Sequence, residues 1–472
     1  MRVSVFASGR VTAEAASGSP AAAVLAEGSG ADEAGWPVLV LPCERLLVLL
    51  PGLLLVVATE LRPLRGTGSV WEVQRTAAAS LARPGTRLAP LEHLFHEGGW
   101  FFSDSEDLSA RGEGQPPRPR YVFNWSTWSS PAARPWSGCL IWGFVGCSEG
   151  CTLVARRATE GAGVRFRRRG ALEGGHACNF VELEQKVGCC SFVQVRGSVP
   201  LAWGQDSSGT EVNPAIVLEE DEGRQRRVLG QHLAQLEREY GRVSSVSLLR
   251  QSDAGEAALH GRLEQLLREL PQCPPLLAFD LHARCEGSGV RPLRAFAAGL
   301  PLEVGTQQRT VLRTNCKDSV DRTGLLQAQV FELALPTQLR EAGRGGERLS
   351  LRALYAECNS RLSVAYCGTA AFCEEIARGG ERRSRLGRAR DALLGALRYH
   401  CNAWLDEEKQ WAVDALAGNA DSLARLQERE QSGGLLWRLR PRPAHGHVAG
   451  PLHLLAFLCY ILLFVLFFRG KK

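Results

Sequence analysis

The sequence predicts an α/β fold (α+β overall), in which a β-rich N-terminal unit packs on an α/β unit and a transmembrane helix follows. Across 70–154, short aromatic and β-branched runs alternate with Gly, Pro and Ser clusters, a pattern typical of strands. After Arg156, strand-like runs such as 276–279 are separated by helical stretches such as 228–240 and 257–270. This alternation favours an α/β second unit.

Composition shifts divide the chain into parts. The N-terminal residues are rich in Ala, Gly, Ser and Glu and lack apolar periodicity, so we expect a disordered leader there. The predicted parts are a leader at 1–35, a β-rich unit at 36–154, an α/β unit at 155–430, a basic linker at 431–450, an anchor at 451–468 and a basic tail at 469–472.

The apolar segment 38–58 could be mistaken for a signal anchor. Glu44-Arg45 and Pro51-Gly52 cut it into pieces that are too short to span a bilayer. We therefore predict two or three buried strands joined by turns.

Bulk composition limits the classes of function. The net charge of +6 is a mild excess that suits an anionic partner, and it does not indicate nucleic acid. The 15 cysteines are odd in number and lack repeated C-x-x-C pairs, which disfavours a disulfide framework or a zinc site. We expect no metal, no other cofactor and a reducing compartment.

The C-terminal segment 451–468 is almost continuously apolar and has cations on both sides. At ~1.5 Å per residue it would extend roughly 27 Å as a helix, close to a thin bilayer core. A buried core helix is the alternative, but a helix that is apolar on every face suits lipid better. The flanking charges nearly balance, so they leave the orientation open.

The segment from Cys316 to Arg322 carries the strongest chemical signal. An apolar strand-like run precedes it, and an apolar helical run follows it. A cysteine and an arginine separated by five residues can curl into a loop whose backbone N–H groups cradle three phosphate oxygens. These N–H groups, the positive end of the following helix and the guanidinium all favour the thiolate, so Cys316 is a candidate nucleophile.

Hydrolysis of a phosphate monoester by this loop needs two further roles. Arg322 would hold two equatorial oxygens and stabilise the charge that they carry in the transition state. A carboxylic acid would protonate the leaving oxygen and then activate water. Asp318 and Asp321 are both candidates, and either could instead brace the loop through its backbone N–H groups.

The loop resembles a family signature. Residues 313–323, RTNCKDSVDRT, are similar to the R-x-N-C-x-D-C-L-D-R-T motif of the Sac-domain phosphoinositide phosphatases. Three further blocks, at 163–170, 175–185 and 191–203, resemble that family's G-x-R-(Y/F)-x-x-R-G, G-x-x-A-N-F-V-E-T-E-Q and S-F-V-Q-x-R-G-S-I-P-x-x-W motifs. The likeness extends over roughly 46–420 and is greatest to the membrane-anchored members of the endoplasmic reticulum and Golgi.

The resemblance implies a β-rich N-terminal Sac subdomain, a catalytic Sac subdomain and metal-independent hydrolysis of phosphatidylinositol 4-phosphate. It implies an endoplasmic reticulum or Golgi membrane location with the catalytic domain facing the cytosol. By position, Cys316 is the nucleophile and Arg322 the phosphate-binding arginine. The candidate substrate-binding residues are Lys317, Ser319, Val320, Thr323, Arg165, Arg169 and Arg196.

Several positions depart from the family pattern. Ser319, Val320 and Gly324 stand where the motif has cysteine, leucine and usually asparagine. Residues 355–358, YAEC, replace W-x-D-N, which puts substrate preference and rate in doubt. Two alternative functions therefore stay open: a catalytically weak phosphoinositide-binding membrane tether and a cysteine-dependent protein phosphatase.

Overall fold

The structure is a computed structural model that describes residues 1–5, 11–14, 23–26, 39–50, 52–83, 86–112, 115–205, 213–270, 276–286, 288–305 and 308–431. The strands are β1 Arg2–Val5, β2 Val11–Glu14, β3 Ala23–Ala26, β4 Leu39–Pro42, β5 Arg45–Leu50, β6 Leu54–Pro63, β7 Trp71–Ser80, β8 Trp100–Ser103, β9 Cys139–Ser148, β10 Cys151–Arg157, β11 Val181–Val187, β12 Cys190–Arg196, β13 Trp203–Gln205, β14 Ile216–Leu218, β15 Arg242–Ser247, β16 Leu277–Ala278 and β17 Thr310–Asn315. The α-helices are α1 Ala89–His96, α2 Trp125–Trp128, α3 Glu222–Tyr240, α4 Ala254–Glu269, α5 Leu281–Cys285, α6 Arg291–Ala298, α7 Asp321–Glu341, α8 Arg352–Cys367, α9 Glu374–Ala377, α10 Arg385–His400, α11 Asp406–Leu416 and α12 Ala420–Gln431.

A large mixed sheet organises the fold. Counting only described residues, it has 11 strands in the order β16-β15-β17-β12-β11-β10-β9-β8-β7-β6-β5. Strands β5 to β12 pair antiparallel, whereas β12, β17, β15 and β16 pair parallel. The α/β class is therefore confirmed. The sheet runs through the predicted unit boundary at 154, because β10 pairs with β9 on one side and β11 on the other.

The predicted disordered leader contains ordered strands. With β4, the three strands β1, β2 and β3 form a sheet in the order β3-β2-β1-β4. Val3, Val5, Val11 and Ala13 are fully buried in an apolar cluster that includes Leu55 of β6. The disorder prediction is wrong for these strands, because two apolar residues at alternating positions in each of β1 and β2 suffice to bury one face of a short strand.

The predicted strands in the apolar segment 38–58 are confirmed. The segment contains β4, β5 and the first half of β6, and β5 and β6 pair antiparallel across the turn at Gly52. Leu46, Leu47, Leu54 and Leu55 are fully buried, so both faces of this hairpin are covered.

Among the residues that the structure describes, no helix has both the length and the apolar character needed to cross a bilayer. The predicted linker at 431–450 lies outside the described residues except for Gln431, the last residue of α12. The predicted anchor at 451–468 and tail at 469–472 lie wholly outside them.

Candidate functional site

The predicted loop lies at the edge of the sheet where the parallel strands end. Cys316 directly follows β17, whose neighbours β15 and β12 run parallel to it. The register pairs Asn315 with Ser247 and Thr314 with Arg196, so all three strands finish together. The carboxyl ends of parallel strands are where open α/β sheets bind ligands. The fold therefore places the loop where a ligand site is expected.

The helix after the loop has an uncapped N-terminus. Helix α7 begins at Asp321, and no side chain caps it from Val320. Ser319 has a φ of 52°, a left-handed conformation that turns the backbone between strand and helix. The first N–H groups of a helix and its positive dipole end favour an anion. The backbone of this loop thus has the polarity that a phosphate group needs.

Several buried polar atoms around the loop have no hydrogen-bond partner among the described residues. They are Nε and Nη1 of Arg196, Nδ2 of Asn315, Oγ of Ser319 and Oγ1 of Thr323. Each of these residues is at most 1 % exposed. Buried polar groups are almost always paired in folded proteins, and each of these atoms is able to donate a hydrogen bond. Donors left free beside an uncapped helix fit an oxyanion.

Arg196 is a buried cation that has free donors and interacts electrostatically with Cys316. Burial lowers its pKa, while the nearby Cys358, Cys316 and Asp321 act in the opposite direction. Two of its guanidinium nitrogens are unpartnered within the described ranges. Its predicted role in substrate binding therefore fits its surroundings.

Arg165 and Arg169 face Asp318. Arg165 donates to both carboxylate oxygens of Asp318, at 3.1 and 2.9 Å, and Arg169 donates to Oδ1 at 2.6 Å. Arg169 also donates to the backbone oxygen of Lys317 at 3.1 Å, and Asn179 donates to that of Asp318 at 3.3 Å. These contacts of the two arginines hold the loop in shape.

The environment of Asp318 opposes a role as proton donor. Burial alone would raise the pKa of its carboxyl group, but Arg165 and Arg169 hold that pKa well below its ordinary value. A carboxylate with a depressed pKa is ionised at neutral pH and has no proton to give to a leaving oxygen. Of the two roles predicted for Asp318, the geometry favours the bracing role.

Asp321 is also engaged. Its Oδ2 accepts from Arg398 Nη1 at 2.7 Å, and its Oδ1 accepts from the backbone N–H of Phe372 at 2.8 Å. Arg398 is buried and also donates to Ser363 and Thr369. These contacts tie the start of α7 to α8 and α10, so Asp321 likewise braces the loop.

Cys316 and Arg322 occupy the two ends of the loop. Cys316 is 1 % exposed. The Arg322 guanidinium donates to both carboxylate oxygens of Glu256, at 2.6 and 3.0 Å, and to the backbone oxygen of Leu248 at 2.9 Å. Burial alone would lower the pKa of Arg322, but Cys316 and Glu256 raise it. The sulfur and the guanidinium therefore interact electrostatically, although the arginine is directed toward Glu256.

The other predicted loop residues are buried. Lys317 donates to the side chain of Asn213, and burial lowers the pKa of its ammonium group. Val320 packs against Tyr366 and Cys367 in a small apolar cluster. Thr323 lies in the first turn of α7 and is fully buried.

Sequence reasoning missed a group of polar residues beside Arg322. Glu256, at the start of α4, also accepts from the backbone N–H of Arg250 at 2.8 Å, and the Arg250 side chain lies 2.9 Å from His282 Nε2. Burial and the cations Arg250 and Arg322 lower the pKa of His282. His282 lies four residues after the carboxyl end of the parallel strand β16, a position that could have identified it. Glu256 lies 66 residues from Arg322 and offers no such signal.

A cavity of about 320 Å³ opens elsewhere, between α11, the segment after β10 and Phe123. Arg168 and Asp414 form an ion pair in its wall, and none of its lining residues belongs to the loop. Within the part of the chain that the structure covers, no group of three or more His, Cys, Asp or Glu side chains could hold a metal ion.

Comparisons with known proteins identify relatives. The SacI homology domain matches residues 50–286, a range that ends before the loop. The phosphatidylinositide phosphatase SAC2 of Danio rerio is 28% identical over 292 residues, covering 57% of this chain and 26% of the relative. The phosphatidylinositol-3-phosphatase SAC1 of Saccharomyces cerevisiae is 30% identical over 308 residues, covering 56% of this chain and 48% of the relative.

The phosphoinositide phosphatase SAC8 of Arabidopsis thaliana is 28% identical over 339 residues, covering 64% of this chain. The chain spans 57% of that relative and smaller shares of the other two. The domain match covers half of the chain, and the loop carries the signature that the sequence predicts. This chain therefore belongs to the Sac-domain phosphoinositide phosphatase family.

Proposed function

We propose that this protein is a phosphoinositide phosphatase that hydrolyses phosphatidylinositol phosphates through a phosphocysteine formed on Cys316. The observation that carries the proposal is the set of unpartnered donors of Arg196, Asn315, Ser319 and Thr323 around an uncapped helix, within the described ranges. The three relatives are named as a phosphatidylinositide phosphatase, a phosphoinositide phosphatase and a phosphatidylinositol-3-phosphatase, which agrees with the proposal.

In the first step, the Cys316 thiolate attacks phosphorus, an S–P bond forms, and the P–O bond to the inositol ring breaks. The leaving oxygen takes up a proton from solvent as it departs. In the second step, water attacks the phosphocysteine, and this releases inorganic phosphate and restores the thiolate. Arg196 and the loop N–H groups stabilise the charge on the three equatorial oxygens.

Arg322 can also stabilise the phosphate oxygens once its guanidinium has released Glu256. Its two terminal nitrogens are bound to the carboxylate in this structure, so bidentate binding of phosphate requires that ion pair to open. Asp318 and Asp321 are held by arginines and keep the loop in shape.

We propose phosphatidylinositol 4-phosphate as the substrate and phosphatidylinositol as the product. The proposed site of action is the endoplasmic reticulum or Golgi membrane, with the catalytic domain facing the cytosol and segment 451–468 as the anchor. The family resemblance and the apolar composition of that segment support these finer assignments. The yeast relative is named for the 3-phosphate, so a substrate panel needs all three monophosphates.

The test is phosphate release from short-chain phosphatidylinositol 3-, 4- and 5-phosphate, with and without chelator. We expect release that is greatest for the 4-phosphate, insensitive to chelator and abolished in Cys316→Ser. Cys358→Ser is the matched control, because Cys358 is equally buried and also lies beside Arg196. Faster turnover of a phosphotyrosine peptide than of any inositol lipid would contradict the proposed substrate.

Two observations favour a second function, the membrane tether. Cys316 is almost inaccessible, and Arg322 is bound to Glu256, so the structure has the features of a weak catalyst. A tether would bind phosphoinositide-containing vesicles and release no phosphate from them, and Cys316→Ser would leave that binding unchanged.

A further inference from the structure

Helix α10 is poorly covered by the rest of the protein. Of its 16 residues, only Gly387 and Arg398 are buried. Leu386 is 79% exposed and Leu393 is 39% exposed, although large apolar side chains are usually covered in a folded protein. This helix therefore presents apolar surface to its surroundings.

The exposed apolar residues lie on one face. Leu386, Ala389 and Leu393 are all exposed and are separated by three and four positions, the spacing that puts side chains on one side of a helix. The partly covered Leu397 continues the same row one turn further. The row extends over about three turns of the helix.

Positive charge surrounds this row. Residues 374–391 contain six arginines and four carboxylates, a net charge of +2, and Arg378, Arg383 and Arg390 are paired with Glu374 or Asp391. Arg382, Arg385 and Arg388 are exposed, and none of them forms an ion pair with a described residue. Glu381 is bound by two further arginines at 3.0 and 2.6 Å, so it does not offset the charge of Arg382, Arg385 and Arg388.

The helix is fixed next to the catalytic loop. At its C-terminal end, Arg398 binds Asp321, the first residue of α7, at 2.7 Å. Nearer its N-terminal end, Asp391 accepts from the backbone N–H of Cys373 at 3.2 Å. The backbone N–H of the preceding residue, Phe372, donates to Asp321 as well. The exposed face of α10 therefore has a set position relative to the proposed active site.

We propose that Arg382, Arg385, Leu386, Arg388 and Leu393 form a docking surface for an anionic lipid bilayer. Leucines on one helix face with arginines beside them match a helix that lies in the plane of a membrane interface. The arginines bind the anionic headgroups, and the leucines enter the boundary of the acyl chains. This contact is separate from the predicted anchor and goes beyond the proposed phosphatase activity, since it requires neither catalysis nor a phosphoinositide.

The experiment measures binding of the full chain to vesicles without phosphoinositide, by flotation. One vesicle is pure phosphatidylcholine, and the other contains phosphatidylserine as well. Two variants carry Leu386→Ser with Leu393→Ser, or Arg382→Gln with Arg385→Gln and Arg388→Gln. The matched controls are Leu333→Ser, at another exposed leucine, and Arg75→Gln with Arg242→Gln and Arg268→Gln, three exposed arginines elsewhere. The predicted anchor is present in every protein, so its contribution is shared.

Wild type is expected to bind the anionic vesicles about tenfold more tightly than the neutral ones. The arginine variant should lose this preference, the leucine variant should bind both vesicles less tightly, and both controls should behave as wild type. Equal binding of wild type and both variants would overturn the proposal. So would a loss of self-association in the variants with unchanged vesicle binding, because the surface would then contact a second copy of the chain.

A second measurement separates this inference from the proposed function. If the docking surface and the phosphatase activity are both correct, the α10 variants hydrolyse a short-chain soluble phosphoinositide at the wild-type rate. They hydrolyse a vesicle-bound phosphoinositide at least tenfold more slowly than wild type. If the chain hydrolyses neither but the variants still lose anionic vesicle binding, the docking surface stands and the phosphatase proposal fails.

Discussion

Arg322 binds both carboxylate oxygens of Glu256, at 2.6 and 3.0 Å, in an environment where both side chains are largely buried. The ion pair uses the two terminal guanidinium nitrogens that would otherwise bind a phosphate group in bidentate form. Glu256 and phosphate therefore compete for the same donors.

Glu256→Gln tests this competition. Loss of the carboxylate charge should release Arg322 and lower the inhibition constant for vanadate roughly threefold to tenfold, about 1 kcal/mol. Stability should fall by about 3 kcal/mol, because the variant leaves a buried guanidinium without its counter-ion. Glu264→Gln, at a partly exposed residue of the same helix, should change neither quantity. A higher inhibition constant in Glu256→Gln would show that Glu256 instead positions Arg322 for catalysis.

Asp318→Asn tests the bracing of the loop. The substitution leaves Arg165 and Arg169 without a charged partner, so it should lower the free energy of unfolding by about 3 kcal/mol. The exposed ion pair of Arg45 and Asp104 provides the control, and Asp104→Asn should cost less than about 1 kcal/mol. Urea unfolding at pH 7 measures both. Equal effects of the two substitutions would contradict the bracing role.

The same carboxylate predicts the pH dependence of stability. The pKa of Asp318 is lower in the folded than in the unfolded state, so its contribution is fully present above the unfolded pKa of about 4. That contribution is lost as the pH falls from there through the folded pKa. Wild type should therefore lose stability more steeply than Asp318→Asn below pH 4. Parallel stability curves of the two proteins in that range would exclude Asp318 as the source.

Arg196→Met tests whether Arg196 contributes to phosphate binding rather than to the stability of the fold. The buried guanidinium has two unpartnered nitrogens within the described ranges, so its replacement by an apolar side chain of similar size should leave stability unchanged or raise it by about 1–3 kcal/mol. Turnover should fall at least a hundredfold, because a donor to the phosphate oxygens is lost. Arg156→Met is the contrasting variant. Arg156 is paired with Glu182 and Glu184, so its replacement should lower the free energy of unfolding by about 3 kcal/mol.

Gly324 marks a local departure from the family that the structure explains. A Cβ atom at this position would lie 2.5 Å from Oδ1 of Asn359, so the asparagine that is usual in the family would require the Asn359 side chain to move. Gly324→Asn should destabilise the protein by about 1–3 kcal/mol. Adding Asn359→Ser should restore most of this loss, and a double-mutant cycle measures the coupling. Additive effects would mean that the two sites are independent.

The part of the site that sequence predicts is local. Cys316 and Arg322 belong to one loop between a strand and a helix, and the short-range pattern of apolar and polar residues fixes that junction. The pairing of Arg165 with Asp318 joins residues 153 apart, and that of Arg322 with Glu256 joins residues 66 apart, so both depend on how the strands order in the sheet. The sequence identifies the charged residues as candidates, but the order of the strands in the sheet determines which of them are in contact.

For the fold, too, the sequence predicts the local features and misses those that depend on distant residues. The α/β class and the strands within 38–58 follow from patterns that are visible over a few residues. The ordered strands β1 and β2 were missed, because each offers only two alternating apolar residues, and their burial depends on the distant strand β6. The single sheet across the predicted boundary at 154 also depends on long-range pairing.

Detection of a phosphate on the sulfur of Cys316 would be the most direct test of the phosphocysteine mechanism. The full chain would be mixed with short-chain phosphatidylinositol 4-phosphate, quenched in acid within milliseconds, and digested for mass spectrometry. We expect the peptide that contains Cys316 to carry one phosphate, in a fraction that rises before steady-state release begins. Steady release of phosphate in Cys316→Ser, or wild-type turnover with an unmodified Cys316 at every quench time, would contradict the mechanism.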